Sequence, residues 1–98
     1  MEPDFEDDDL RRLECDAAFD AGFSREIVKA FRKRMQLIRA ASDERDFYAM
    51  KSLHFEQLDG NRLGQHSMRL NKQWRLILKL SKRETKKVVV IVEITDYH

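Results

Sequence analysis

Seven side chains of this 98-residue sequence have the types needed for phosphate handling and proton transfer: His54, Arg62, Arg69, Arg75, Asp96, Tyr97 and His98. The last three close the sequence as D-Y-H, shortly after five consecutive β-branched residues, Val88 to Val92. Arginine forks match phosphate oxygens two at a time. An imidazole moves a proton near neutral pH, and a phenol ring stacks on an unpaired base. Together these parts suit cleavage of RNA by side chains alone. One group takes the 2′-hydroxyl proton, a second protonates the leaving 5′-oxygen, and guanidinium groups stabilise the charge building on phosphorus. Lys72 and Lys79 add cations for RNA binding. The histidines and carboxylates show no close pair at metal-ligand spacing, so no metal and no cofactor is expected.

Each residue also has a plainer reading. His54, between Leu53 and Phe55, has the setting of a half-buried structural histidine. Arg75 beside Trp74 reads equally as a solvated strand residue. Asp96 could pair with a lysine, and Tyr97-His98 could be a frayed end.

The elements that must hold these groups fall into two halves. Asp7-Asp8-Asp9 offers acidic caps for a first helix, with Leu10, Leu13, Ala17 and Ala18 at helical spacing and Gly22 as its stop. Ser24 caps a second helix, in which Ile27, Val28, Phe31, Met35 and Ile38 form one apolar stripe destined for the core. Residues 43–46 read as a loop, and the stretch from Phe47 to Leu58 is ambiguous, with M-K-S-L-H-F entering a strand. The second half reads as β-structure. His66, Met68 and Leu70 alternate with Ser67 and Arg69, and Trp74, Leu76, Leu78 and Leu80 alternate with Arg75, Ile77 and Lys79. Lys82 to Lys87 reads as a charged hairpin loop, and residues 88–95 as a last, central strand. Pro3 and its acidic neighbours allow at best an edge strand at the start. The expectation is an α+β fold forming a single domain over residues 1–98, a small antiparallel meander with two N-terminal helices packed on one face.

Composition bounds the rest. The chain is 42% hydrophobic and 38% charged, with a formal net charge of +1. That balance hides an asymmetry: residues 1–20 carry nine acids and two arginines, so the remainder is strongly basic. A basic working surface fits nucleic acid, although a solvated mixture of charges gives the same count. One cysteine, Cys15, leaves no disulfide framework. Neither a secretory leader pattern nor an apolar run of membrane-spanning length is visible, so a cytoplasmic protein without a membrane partner is expected.

The ordered stretch L-H-F-E-Q-L-D-G-N-R-L-G-Q-H-S-M-R-L-N-K-Q-W-R-L, followed by a β-rich run and the closing D-Y-H, resembles the HigB branch of the RelE/ParE toxin superfamily. These are toxins of bacterial type II toxin–antitoxin pairs, and the likeness covers roughly residues 53–98. The resemblance implies a RelE-like fold and an endoribonuclease that cuts mRNA in the ribosomal decoding site of the 30S subunit, inhibiting translation. It implies His54, Arg75, Asp96, Tyr97 and His98 as the catalytic set. Arg75 would sit at the scissile phosphate, with His54 and His98 as the proton-transfer groups. Asp96 would orient an imidazole, Tyr97 would position the nucleotide, and Arg62 and Arg69 would grip phosphates. The partner implied is a helix-turn-helix, HigA-like antitoxin, through which alone operator DNA would be contacted. In this sequence Asp59 replaces the family's turn lysine, His54 lies two residues further from that turn, and an acidic stretch stands where the family has its first strand. A gyrase-inhibiting relative without catalysis, and a non-catalytic RNA-binding module, are the competing readings.

Overall fold

In the computed structural model, which describes residues 1–96, the sheet carries five strands in the order β1-β5-β4-β3-β2. The strands are β1 (Glu2–Phe5), β2 (Glu56–Gln57), β3 (His66–Arg69), β4 (Trp74–Arg83) and β5 (Lys86–Asp96). Three α-helices precede β2: α1 (Asp8–Cys15), α2 (Arg25–Ala40) and the short α3 (Arg45–Ala49). β2 to β5 pair antiparallel, and β1 adds to the edge of β5 in parallel. The expected α+β meander is therefore present. Its last strand lies between two others, as its two-sided apolar character requires.

Helix α2 forms where its pattern says it should. The Ser24 hydroxyl accepts from the Ile27 amide at 3.3 Å, capping the first turn. Ile27, Val28, Phe31, Met35 and Ile38 are all buried. They pack with Leu10 and Leu13 of α1 against Met68, Leu76, Leu78, Val89 and Ile91 of the sheet. Phe31, at 0% exposure, sits in the middle of that layer.

Three local expectations are corrected, and the edge strand allowed at the start is present. Helix α1 ends at Cys15 rather than running towards Gly22. The Arg32 guanidinium of α2 donates to Leu13 O of α1 (3.0 Å) and to Asp16 O (2.9 Å) and Phe19 O (3.2 Å) just beyond it. A cationic cap from another helix thus ends α1 early, and leaves Ala17 and Ala18 exposed in a loop. The opening acidic stretch does form the edge strand β1, because parallel pairing with β5 satisfies its backbone. Residues 43–58 hold α3 and a 3₁₀ turn, Lys51–Leu53, before the two-residue β2. The charged hairpin loop shrinks to Glu84-Thr85, since Arg83 and Lys86 still pair.

One irregularity governs the faces on which Glu93 to Asp96 lie. Ile77 pairs with Glu93 while Leu78 pairs with Ile91, so Val92 is an extra residue in β5. Such a bulge resets the alternation of a strand. Val89 and Ile91 face the helices, and beyond the bulge so does Ile94, while Glu93 and Thr95 share the opposite face with Ile77 and Arg75.

Candidate active site

The face of the sheet away from α1 and α2 gathers the candidate residues around the β3–β4 hairpin. Asn71 builds the turn: its carboxamide oxygen accepts from the amides of Gln73 (2.8 Å) and Trp74 (2.7 Å). The turn sets Arg69 directly opposite Arg75 in the β3–β4 ladder, and Thr95 opposite Arg75 on the other side. Helix α2 anchors the arrangement from behind, where Arg34 Nε donates to Arg69 O at 2.9 Å. Burial holds the Arg34 guanidinium below its ordinary pKa.

His54 enters this site from outside the sheet. Leu53 and Phe55 on either side of it are buried, at 1% and 8% exposure, whereas His54 itself is exposed. The structural-core reading thus applies to its neighbours and not to His54. Phe55 is held among three rings: Phe47, Tyr48 and His66, the last stacked on it at 5.0 Å. Pinned at both sides, the backbone at His54 takes a left-handed conformation, φ 46° and ψ 46°. That region is uncommon for residues other than glycine and concentrates at functional positions.

His54 meets both arginines. Arg69 Nη1 lies 3.0 Å from His54 Nε2. A guanidinium only donates, so in this contact Nε2 is the acceptor. Arg75 Nη1 reaches His54 O at 3.3 Å and the hydroxyl of Ser67 at 3.4 Å. Glu56 of β2 stands 3.7 Å from Arg75. Two like charges directly across a ladder repel. Glu56 and several carbonyl and hydroxyl oxygens stand beside the two guanidinium groups. Two guanidinium forks side by side match the geometry of an anion with several oxygens, such as a phosphodiester.

The remaining candidates divide. Arg62, in the turn before β3, reaches the same face through an ion pair with Glu93, the partner of Ile77, and has a 3.0 Å bond to Gln65 Oε1. Lys79 lies roughly 13 Å along β4 from Arg75, at about 3.3 Å per residue, and pairs with Glu6 at 2.8 Å. Lys72 is exposed in the β3–β4 turn. Asp96 accepts from Gln73 Nε2 at 2.8 Å, and its strand partner is Trp74. It is thus one step out of phase with the Arg75–Thr95 pair, a consequence of the bulge. Tyr97 and His98 lie outside the described residues. Ser67, fully buried, and Glu56 are site neighbours that sequence reasoning did not single out. Ser67 was placed on the correct face by strand alternation, whereas nothing in the sequence signals Glu56. Among the described residues, no group of three or more His, Cys, Asp or Glu side chains could hold a metal ion.

The fold is similar to that of the YoeB/ParE toxin from Agrobacterium tumefaciens, with TM-score 0.61 and 16% identity over 100% of both chains. It is similar also to YafQ from E. coli, with TM-score 0.60 and 12% identity over 97% of this chain and 91% of that one. The YoeB-YefM complex from Staphylococcus aureus aligns with TM-score 0.61 and 16% identity over 100% and 97%. At such identities the likeness is one of fold. Residues 3–98 match the family described as RelE-like toxin of type II toxin-antitoxin system HigB, and the chain belongs to that family. No curated protein sequence matches it. No helix among the described residues is long and apolar enough to cross a membrane.

Proposed function

We propose that this toxin is a ribosome-dependent mRNA endonuclease that cleaves by acid–base chemistry through 2′-hydroxyl attack. The observation that carries the reading is the joining of His54, Arg69 and Arg75 on the free face of the sheet. In this account Arg75 and Arg69 bind the non-bridging oxygens of the scissile phosphate. Drawing Arg69 onto phosphate releases Nε2 of His54, whose lone pair then takes the 2′-hydroxyl proton. The 2′-oxygen attacks phosphorus, the bond to the 5′-oxygen breaks, and a second group protonates that oxygen. The products are a 2′,3′-cyclic phosphate and a 5′-hydroxyl. His98 is the proposed acid, with Asp96 orienting it and Tyr97 stacking on the nucleotide. Arg62, Lys72 and Lys79 are proposed to hold flanking RNA, substrate or ribosomal. The guanidinium pair supplies the charge stabilisation, so the account calls for no metal at the phosphate.

The partner proposed is an antitoxin of the helix-turn-helix, HigA-like kind, through which operator DNA is met. The family description and the complexed state of the staphylococcal neighbour support an antitoxin. The cytoplasm, where ribosomes are, is the proposed site of action. Primer extension on mRNA translated in the presence of the chain tests the reading. Discrete truncations that need both ribosomes and His54 are expected. Intact mRNA accompanied by DNA-damage signalling would instead favour the gyrase-inhibiting alternative.

A further inference from the structure

The strand-borne cations of the free face are met by carboxylates. From Arg75 onward, the residues of β4 that share this face are Ile77, Lys79, Ser81 and Arg83. Each cation among them has an acid brought from another part of the sheet. Glu56 of β2 stands 3.7 Å from Arg75. Glu6, just beyond β1, pairs with Lys79 at 2.8 Å, and Asp4 of β1 pairs with Arg83 at 2.7 Å. Arg62, in the turn before β3, joins Glu93 of β5. Because β4 lies between β3 and β5, that ion pair crosses β4, where Ile77 is fully buried.

Two of these acids reach the site through specific local structure. Strict alternation from Ile91 would turn Glu93 towards the helices. The extra residue Val92 turns it instead towards the arginines. Glu56 follows His54 by two residues and is delivered by the pairing of β2 with Ser67 of β3. Both carboxylates remain half-exposed, and ion pairs so exposed add little to stability. Their larger effect is on what approaches. A phosphate reaches its cation only after the carboxylate has moved, and it meets the negative charge of that carboxylate on the way.

We infer that Glu56 and Glu93 are specificity-determining residues of the proposed nuclease, holding Arg75 and Arg62 against free RNA so that a strand ordered on the ribosome is the one that displaces them. The inference rests on the nuclease reading and deepens it. A free strand has to order itself and expel both carboxylates in return for a few phosphate contacts. A message held by the ribosome is ordered beforehand, and contacts of the chain with the ribosome add to those with the strand.

Fluorescence anisotropy tests this with a short labelled single-stranded 2′-O-methyl RNA, which lacks the attacking hydroxyl and so binds without being cut. The parent is compared with the double variant Glu56→Gln, Glu93→Gln. A control, Glu14→Gln with Glu44→Gln, makes the same change in net charge at acids whose partners, Arg39 and Lys87, lie elsewhere. Freeing Arg75 and Arg62 should tighten binding roughly tenfold, and should steepen the dependence of log K on log salt by about 0.7 for each freed cation. Each single substitution should give about half of both shifts, and the control neither. Unmodified RNA without ribosomes should be cut faster by the double variant than by the parent, relative to the rate of each on ribosomes. Unchanged affinity in the double variant, an equal gain in the control, or a gain with no change of salt slope would overturn the inference. Tighter binding by the double variant beside a parent that leaves ribosomal mRNA intact would uphold the role of the two acids and strike the nuclease reading instead.

Discussion

The two faces of the sheet are made from the same strands, yet they do opposite work. On the helix side Met68, Leu76, Leu78, Val89 and Ile91 meet α1 and α2 and are almost wholly buried. On the other side the alternate residues of β3 and β4 are Ser67, Arg69, Arg75 and Lys79, with Ile77 the apolar exception. One face gains stability by excluding water. The other carries Arg69, Arg75 and Lys79 around buried Ser67 and Ile77, with the Arg75 side chain 18% exposed, and relies on the first for rigidity. Substitutions should therefore separate cleanly: damage on the helix face costs folding, and damage on the free face costs cleavage alone.

The largest expected effect is on the helix face. Phe31→Ala should cost about 3–5 kcal/mol, the usual loss for a fully buried phenyl, read by chemical denaturation. Next, Arg75→Ala should slow cleavage about 10²–10³-fold, the scale of removing one donor to a developing oxyanion, while shifting stability by less than ~1 kcal/mol. His54→Ala should cost at least about 10²-fold, and Arg69→Lys should recover more activity than Arg69→Ala, because it retains a phosphate-binding cation. A single-turnover time course on programmed ribosomes measures all three. Smaller still, Ser24→Ala should remove ~1 kcal/mol of stability by uncapping α2, with cleavage per folded molecule unchanged.

The mildest effect links the faces. Among the described residues, Nδ1 of His66 is buried with no hydrogen-bond partner, and its ring stacks on Phe55, next in sequence to His54. Burial pushes the His66 imidazole below its ordinary 6.5, and only the charge of Glu44 opposes this. Below pH 6.5 the unfolded chain then binds a proton that the folded chain resists. Stability from this group is complete above that pH and declines as pH falls towards the lowered value. Denaturation at about pH 7.5 and about pH 5.5 should show the decline, and His66→Phe should flatten it.

Much of the helix face was legible in the sequence, because burial imposes periodicity. The stripe Ile27-Val28-Phe31-Met35-Ile38 and the alternation about Leu76 and Leu78 each point at one core. The grouping of Arg69 and Arg75 followed from that same alternation. What the sequence did not disclose depends on contacts between distant residues. The end of α1 is set by Arg32, 19 positions beyond Leu13 in the sequence. Strand β1 exists only through β5, whose register lies in the last part of the chain. The bulge at Val92 moves Asp96 opposite Trp74, which no counting of alternate residues reveals. Likewise Glu56 reaches Arg75 only because the short β2 pairs with β3.

The central claim is that the arginine-lined face breaks RNA and is dispensable for folding. The single-turnover rate of ribosome-bound mRNA cleavage by Arg75→Ala, set beside its unfolding curve, addresses it most directly. The account predicts a fall of about 10²–10³-fold with an unfolding midpoint matching the parent. A rate within about threefold of the parent, less than 1 kcal/mol of barrier, in a protein that unfolds alike would contradict it.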